Sequence, residues 1–345
     1  MNIAVSGMGR IGRLLIRRAF SEEMPNVNLK AVNMSHPVET IAHLLKYDTI
    51  HGKWDADIAA ESDRLIINGH PVVVVGERDP ERLPWRKLGI DIVVDATGKF
   101  KDRKGAGKHV TAGARKVIVT APGKDLDATV VMGVNERLYD AGRHALISAA
   151  SCTTNCVAPL LKILDDAFGV RRGWVTAVHA YTNDQNHLDN PHNDLRRARA
   201  CGQSIVPTTT GVGKSLQDVI PHLAPVMRGL SLRVPTPDVS VADLTVQVGR
   251  RVTTEDVRQT FLAAANGPYA RYVEFSELPL VSSDYIGSDK SAIVDGLSLM
   301  AEGDYVKVLG WYDNEWGYAC RVVDLMRYVA EQERVKEVQR CEIAT

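Results

Sequence analysis

Residues 3–12, Ile3-Ala4-Val5-Ser6-Gly7-Met8-Gly9-Arg10-Ile11-Gly12, decide the fold of the first half of the chain. A short apolar strand runs into three glycines spaced G-x-G-x-x-G. Arg10 to Phe20 then carries apolar side chains at Ile11, Leu14, Leu15 and Ala19, the spacing of one helix face. In a strand–turn–helix unit each glycine has its own mechanical task. Gly7 makes the tight turn, Gly9 lets backbone approach a pyrophosphate, and Gly12 lets the helix pack close to the strand. The N–H groups at the helix start face the phosphates. The stretch reads as a dinucleotide site rather than a purely structural turn.

Such a site calls for Asp or Glu about 20 residues further on, to hold the adenosine ribose 2′-hydroxyl. Here the place is taken by Asn33-Met34-Ser35-His36, and no acid occurs between Glu23 and Glu39. A carboxylate there would repel a 2′-phosphate, so its absence points to NADP being accepted and preferred. The alternative is that another group holds the ribose of NAD, since no arginine in this loop selects phosphate.

Outward from this unit, further apolar runs follow: Leu29–Val32, Val72–Val75, Ile92–Val94, Val117–Val119 and Ala145–Ile147. Continuous runs of this kind suit a parallel sheet covered on both faces. After Cys152 a helix over Cys156–Phe168 leads to a strand over Trp174–His179, then to a long polar segment, Tyr181–Gln203, which reads as a functional loop. Leu230–Val234 and Asp243–Val248 alternate as half-exposed strands, and Cys320–Glu333 is helical. The fold class is therefore α/β, an N-terminal Rossmann-type doubly wound parallel sheet plus an α+β domain with a mixed or antiparallel sheet.

The bulk numbers exclude several classes. The 345 residues suit two domains, and 42 basic residues balance 42 acidic ones, so nothing supports nucleic-acid binding. No signal peptide is read at the N-terminus, and no apolar run reaches the ~20 residues of a membrane span. The five cysteines, 152, 156, 201, 320 and 341, are odd in number and irregularly spaced, against a disulfide framework. No metal site is read, and a reducing, cytoplasmic setting is expected.

Ser151-Cys152-Thr153-Thr154-Asn155-Cys156 lies where the parallel half ends and a helix begins. A cysteine at a helix N-terminus is expected to have its thiolate stabilised and its pKa lowered. Cys156, one turn on, reads as a small buried hydrophobe. His179 closes an apolar strand and is the candidate imidazole partner; pattern alone leaves it open to being a satisfied structural histidine. The other nine histidines mostly read as surface residues.

Seven segments, in order from residue 1 to about residue 330, resemble the phosphorylating glyceraldehyde-3-phosphate dehydrogenase family. They are G-x-G-R-I-G, Ser-Cys-Thr-Thr-Asn-Cys, His-Ala-Tyr-Thr-Asn-Asp-Gln, Asp-Leu-Arg-Arg-Ala-Arg, Pro-Thr-Thr-Thr-Gly, Leu-Arg-Val-Pro-Thr-Pro and Trp-Tyr-Asp-Asn-Glu-Trp-Gly-Tyr. The resemblance implies a cofactor domain of residues 1–151 completed by a C-terminal helix over 316–345, a catalytic domain over 152–315, and a homotetramer. It implies that Cys152 is the nucleophile and His179 its base. Ser151, Thr153, Thr210 and Gly211 match the inorganic-phosphate site, Thr182 and Arg233 the substrate-phosphate site, and Arg197 lies in the motif shared by both anions. Asn314 and Tyr318 match residues lining the nicotinamide. Gly7, Gly9, Arg10, Ile11, Gly12, Asn33, Met34, Ser35, Arg78, Thr97, Gly98 and Thr120 are the expected cofactor contacts.

Two departures bear on the cofactor. Members using NAD carry Asp directly after the Asn ending the second strand, where this chain has Met34, and Asn190 precedes Pro191 where many carry leucine. Both resemble the NADP-preferring, gluconeogenic bacterial branch. The expected activity is oxidation of glyceraldehyde 3-phosphate with inorganic phosphate. The rivals are an erythrose-4-phosphate dehydrogenase, a non-phosphorylating aldehyde dehydrogenase and a non-catalytic dinucleotide sensor.

Overall fold

A computed structural model describes residues 1–22, 24 and 26–344, with side chains to residue 339. Cys341 lies outside the described side chains; the other four cysteines are free thiols. Two compact units form: Met1–Val130 with Asn135–Ala150 and Ala319–Thr345, and Val131–Val134 with Ser151–Tyr318.

The first unit runs β1 (Asn2–Ser6), α1 (Arg10–Ser21), β2 (Asn28–Asn33), α2 (Val38–Lys46), the hairpin β3 (Tyr47–Asp48) and β4 (Gly52–Lys53), β5 (Ile58–Glu61), β6 (Arg64–Ile67) and β7 (His70–Val75). It continues with α3 (Trp85–Leu88), β8 (Ile92–Asp95), α4 (Arg103–Thr111), β9 (Lys116–Val119), β10 (Ala128–Thr129) and β11 (Leu146–Ser148). Among the described residues these give a nine-stranded sheet ordered β10-β11-β9-β8-β1-β2-β7-β6-β5. It is parallel from β10 to β7, and β6 and β5 join antiparallel at one edge. The sequence reading had no place for that edge.

Strand order reverses at β1: β2 lies on one side and β8 on the other, with Ser6 level with Asp95. The crevice beyond the carboxyl ends of two such strands is where ligands bind in doubly wound sheets. The last helix, α8 (Trp316–Ala344), returns to this unit from Ala319 on. Val322, Val323 and Met326 line one apolar space with Leu15, Ile16 and Ala19 of α1 and with Ile3, Val5 and Val94 of the sheet.

The second unit runs α5 (Cys152–Phe168), β12 (Val170–Ala180), β13 (Val206–Thr208), α6 (Val212–Val219), β14 (Met227–Val234), β15 (Ser240–Val248), α7 (Thr254–Ala265), β16 (Val273–Ser276), β17 (Ala292–Asp295), β18 (Met300–Glu302) and β19 (Tyr305–Tyr312). Its sheet is mixed: β12 pairs parallel with β14 and antiparallel with β15, which pairs antiparallel with β19. Helix α5 packs on β12, β15 and β19. No described helix is long and apolar enough to cross a membrane.

Candidate active site

Helix α5 begins at Cys152, a turn earlier than the apolar periodicity suggested, because Ser151 caps it. The Ser151 hydroxyl accepts the Thr154 N–H at 3.0 Å. Along β12, Gly173, Val175, Ala177 and His179 are buried in alternation and so share one face. The Cys152 Sγ lies 3.4 Å from His179 Nε2.

The His179 tautomer follows from its other nitrogen. Nδ1–H donates to the Ala180 carbonyl at 2.7 Å, which leaves the Nε2 lone pair toward Sγ. The Arg233 guanidinium stands against the Nδ1 edge and donates to the same carbonyl at 3.1 Å. Burial, and then the Arg233 charge, hold the imidazole down to about 3, so at neutral pH it is an unprotonated base.

The expected lowering of the Cys152 pKa is not what the structure gives. Burial pushes the thiol up, against the pull of the Arg233 charge, of the Thr153 hydroxyl and of the N–H groups of Thr153 and Cys152. The side chain keeps partial access, but protein atoms surround most of it. Sequence places the sulfur at a helix start and cannot see the desolvation that outweighs it. Both shifts favour the uncharged pair, S–H beside an unprotonated imidazole. Cys156 is fully buried, as read, with Sγ 3.7 Å from the Gly310 carbonyl.

Around this pair the structure gathers several candidate residues of the second unit. The Thr153 hydroxyl is buried against Tyr312 OH at 3.0 Å and also bonds toward the Cys152 sulfur. Arg233 is largely buried, and its Nε has no hydrogen-bond partner among the described residues. A buried guanidinium donor without a partner fits an anion-binding role. Arg197 is close enough for its charge to act on His179; its Nε donates to Thr208 Oγ1 at 3.0 Å, and its Nη1 pairs with Asp184. Thr182 is half-buried after β12; Thr210 and Gly211 lead into α6, with Thr210 Oγ1 accepting the Val212 N–H at 3.4 Å.

Asn314 and Tyr318 are both buried, and the Cys152 sulfur is near enough to help raise the Tyr318 phenol above its usual range, after burial itself. Two residues went unnoticed in the sequence. Ser240 accepts the Ala180 N–H at 3.0 Å and donates to Asn314 Oδ1 at 2.6 Å, joining the His179 strand end to Asn314. Tyr312 holds Thr153 from 159 residues away. Its signal was the alternation Val306, Val308, Gly310, Tyr312 on β19.

In the first unit the glycine turn has the shape a dinucleotide needs. Gly7 adopts φ +98°, and a Cβ there would come 2.7 Å from Thr97 N. A Cβ on Gly12 would stand 1.9 Å from the Gly7 carbonyl, whereas Gly9 faces open space. The Arg10 side chain is committed to Asp48, with Nη2 to Oδ1 at 3.0 Å, leaving backbone N–H groups at the start of α1. Burial works against the Asp48 charge, but Arg10 and the N–H groups of His51 and Ile50 hold its pKa down to about 2.

Asn33 is spent on support, donating to Ser6 Oγ and accepting the Glu77 N–H, each at 3.1 Å. Met34 is half-buried and Ser35 exposed. The loop after β2 holds no arginine, but Val75 of β7 pairs with Asn33, and exposed Arg78 follows three residues on.

Comparison with known proteins matches residues 1–103 to the family model "Glyceraldehyde 3-phosphate dehydrogenase, NAD binding domain" and residues 151–314 to its C-terminal domain. The chain belongs to the glyceraldehyde-3-phosphate dehydrogenase family. It is 54% identical over 331 residues to glyceraldehyde-3-phosphate dehydrogenase 2 of Bacillus subtilis, covering 96% of this chain and 97% of that protein. Glyceraldehyde-3-phosphate dehydrogenase of Geobacillus stearothermophilus is 50% identical over 333 residues, 96% of this chain and 99% of the relative. As a member of this family the protein is an NAD(P)-dependent oxidoreductase of the Rossmann type, in agreement with the fold class read from the sequence.

Proposed function

We propose that the protein oxidises glyceraldehyde 3-phosphate with inorganic phosphate to 1,3-bisphosphoglycerate, reversibly, with NADP preferred over NAD, as a cytoplasmic homotetramer. The observation that carries the chemistry is Cys152 Sγ at 3.4 Å from the lone-pair nitrogen of His179. The cofactor preference rests on Met34 where a carboxylate is expected, with Arg78 on the next strand's loop as the available cation.

As the sulfur adds to the aldehyde carbon, the thiol proton passes to His179 Nε2 and on to the forming oxyanion, giving a hemithioacetal on Cys152. The bound nicotinamide supplies a hydride acceptor. His179 then takes the hemithioacetal hydroxyl proton as the C–H bond breaks, and a thioester on Cys152 remains. A base so positioned contributes typically 10²–10⁴-fold. Phosphate attacks the thioester carbonyl, an acyl phosphate leaves, and the sulfur is reprotonated. Arg233 with Thr182 holds the substrate phosphate, and Ser151, Thr153, Thr210 and Gly211 receive inorganic phosphate, with Arg197 between the two anions. Backbone N–H groups at the start of α5 steady the oxyanion of each addition. Asn314 and Tyr318 line the nicotinamide, and the turn Gly7–Gly12 with Thr97, Gly98 and Thr120 takes the rest of the dinucleotide.

The test is kcat/KM for glyceraldehyde 3-phosphate with phosphate, run in parallel with NADP and NAD, on wild type and Cys152→Ser. Phosphate-dependent turnover that favours NADP and vanishes in Cys152→Ser supports the reading. Preference for NAD overturns its cofactor part, and turnover without phosphate overturns the reaction.

A further inference from the structure

One histidine outside the reacting pair is buried completely. His109 of α4 is 0% exposed, against the surface role its sequence context suggested, and it stands between two equally hidden partners. Trp85 Nε1 donates to His109 Nδ1 at 3.0 Å, and His109 Nε2 meets Asp95 Oδ2 at 3.1 Å. An indole nitrogen can only donate, so Nδ1 must accept and Nε2 must carry the proton. Trp85 thereby fixes the tautomer in which the ring donates to Asp95.

Asp95 ends β8 at the point where strand order reverses. With Oδ2 held by His109, its Oδ1 accepts both the Thr97 N–H at 2.8 Å and the Thr97 hydroxyl at 2.6 Å. Its carbonyl accepts the Thr120 N–H and hydroxyl at 3.0 and 3.1 Å. The Ala96–Thr97 peptide so placed lies where a Cβ on Gly7 would be, within 2.7–2.9 Å. The Asp95 carboxylate thus sets Thr97 and the wall of the glycine turn, its backbone carbonyl holds Thr120, and one imidazole sets the carboxylate.

We propose that His109, with its tautomer locked by Trp85, is a positioning residue for the dinucleotide, acting through Asp95 on the Thr97 turn that abuts Gly7. This rests on reading the Gly7–Gly12 turn as the dinucleotide site. His109 touches neither substrate nor the reacting atoms, so its loss weakens cofactor binding and leaves chemistry at saturating cofactor intact. It acts on NADP and NAD alike, because the network does not involve Met34 or Arg78.

The experiment compares dissociation constants for NADP and NAD, by titration calorimetry, in wild type, His109→Phe, His109→Gln and Gly7→Ala. The phenyl ring removes donor and acceptor; the glutamine amide keeps one of each. His109→Phe is expected to raise both Kd values and both cofactor KM values about tenfold, with kcat and the KM for glyceraldehyde 3-phosphate within about twofold. His109→Gln is expected to recover most of the affinity. A folded His109→Phe with wild-type Kd overturns the proposal, as does a His109→Gln no better than His109→Phe. If His109→Phe does not fold, Trp85→Phe, which deletes the indole donor together with part of a fully buried ring, decides instead: in the folded variant a raised Kd with kcat unchanged supports the proposal, and an unchanged Kd overturns it. Gly7→Ala separates the two levels. Binding intact in Gly7→Ala removes the dinucleotide reading itself, whereas binding lost there but kept in His109→Phe removes only the role of His109.

Discussion

Gly310 of β19 and Leu160 of α5 are in contact that no side chain on residue 310 could share: a Cβ there would lie 2.6 Å from Leu160 Cδ1 and 3.3 Å from Cys156 Sγ. Leu160 is fully buried. The absence of one methyl group sets how closely the helix bearing Cys152 approaches the sheet bearing His179.

Gly310→Ala should therefore lift the first turns of α5, lowering stability by about 1–3 kcal/mol and turnover by about tenfold or more. Thermal melts and steady-state rates check this, and Leu160→Val in the same chain should restore part of both. A Gly310→Ala enzyme with wild-type rate would falsify the packing argument.

His179 makes stability depend on pH with a definite sign. Its folded pKa of about 3 lies below the ordinary 6.5, so between these values the unfolded chain binds a proton that the folded chain refuses. Stability contributed by this group falls as pH drops through that window. His179→Asn should flatten the acid limb of a urea-denaturation series between pH 6.5 and 4; parallel curves for the two proteins would rule the assignment out.

Arg233 supplies a positive charge that pulls on the Cys152 thiol. In Arg233→Met the iodoacetamide reaction should reach half-maximal rate at higher pH than in wild type. The kcat/KM for glyceraldehyde 3-phosphate should fall about 10- to 150-fold, the worth of one charged hydrogen bond to phosphate. A reactivity profile unmoved by the substitution would mean that the thiol answers to other groups.

Met34→Asp should move the ratio of kcat/KM values toward NAD by about 10- to 100-fold, through one charge-assisted hydrogen bond gained with the ribose and repulsion of a 2′-phosphate. If the ratio stays put, the determinant lies on the Arg78 side of the crevice.

Lys116 is nearly buried, with Nζ 3.0 Å from Glu333 of α8 and 2.8 and 2.7 Å from the carbonyls of Ala141 and His144. Glu333 also takes Arg115 at 3.1 Å and the Tyr139 hydroxyl at 3.3 Å. Glu333→Ala leaves a buried ammonium without its counter-charge and should cost about 3–5 kcal/mol. Lys116→Met with Glu333→Leu should recover much of it. Equal melting curves for Glu333→Ala and wild type would show that the pair does not anchor α8.

What could be read in the sequence was local. The Gly7–Gly12 turn and the cap of α5 are each written within a few residues, because a strand, a turn and a helix start are short-range structures. The meeting of Cys152 with His179 needed more: a helix lying across a strand, with the histidine on the covered face. Alternation along β12 supplied half of that. The contacts of Ser240 with Ala180 and Asn314, and of Tyr312 with Thr153, join segments far apart in the chain; alternation along β19 puts Tyr312 on the covered face but does not say which residue it meets there. Burial was the quantity least legible. It raised the Cys152 thiol against the helix start, and it hid His109, whose polar helix gave no sign that its ring faces Trp85.

Residues from Ala319 onward complete a unit begun at Met1, and the whole second unit is made between the two. On a ribosome adding 5–20 residues per second, roughly ten to thirty seconds separate the last strand of the first sheet from the helix that covers Ile3, Val5 and Val94. For that interval the nascent chain carries a sheet whose apolar flank over Ile3, Val5 and Val94 has α1 but not yet α8 against it, which leaves the newborn protein more exposed than the finished one to chaperones and to misassembly.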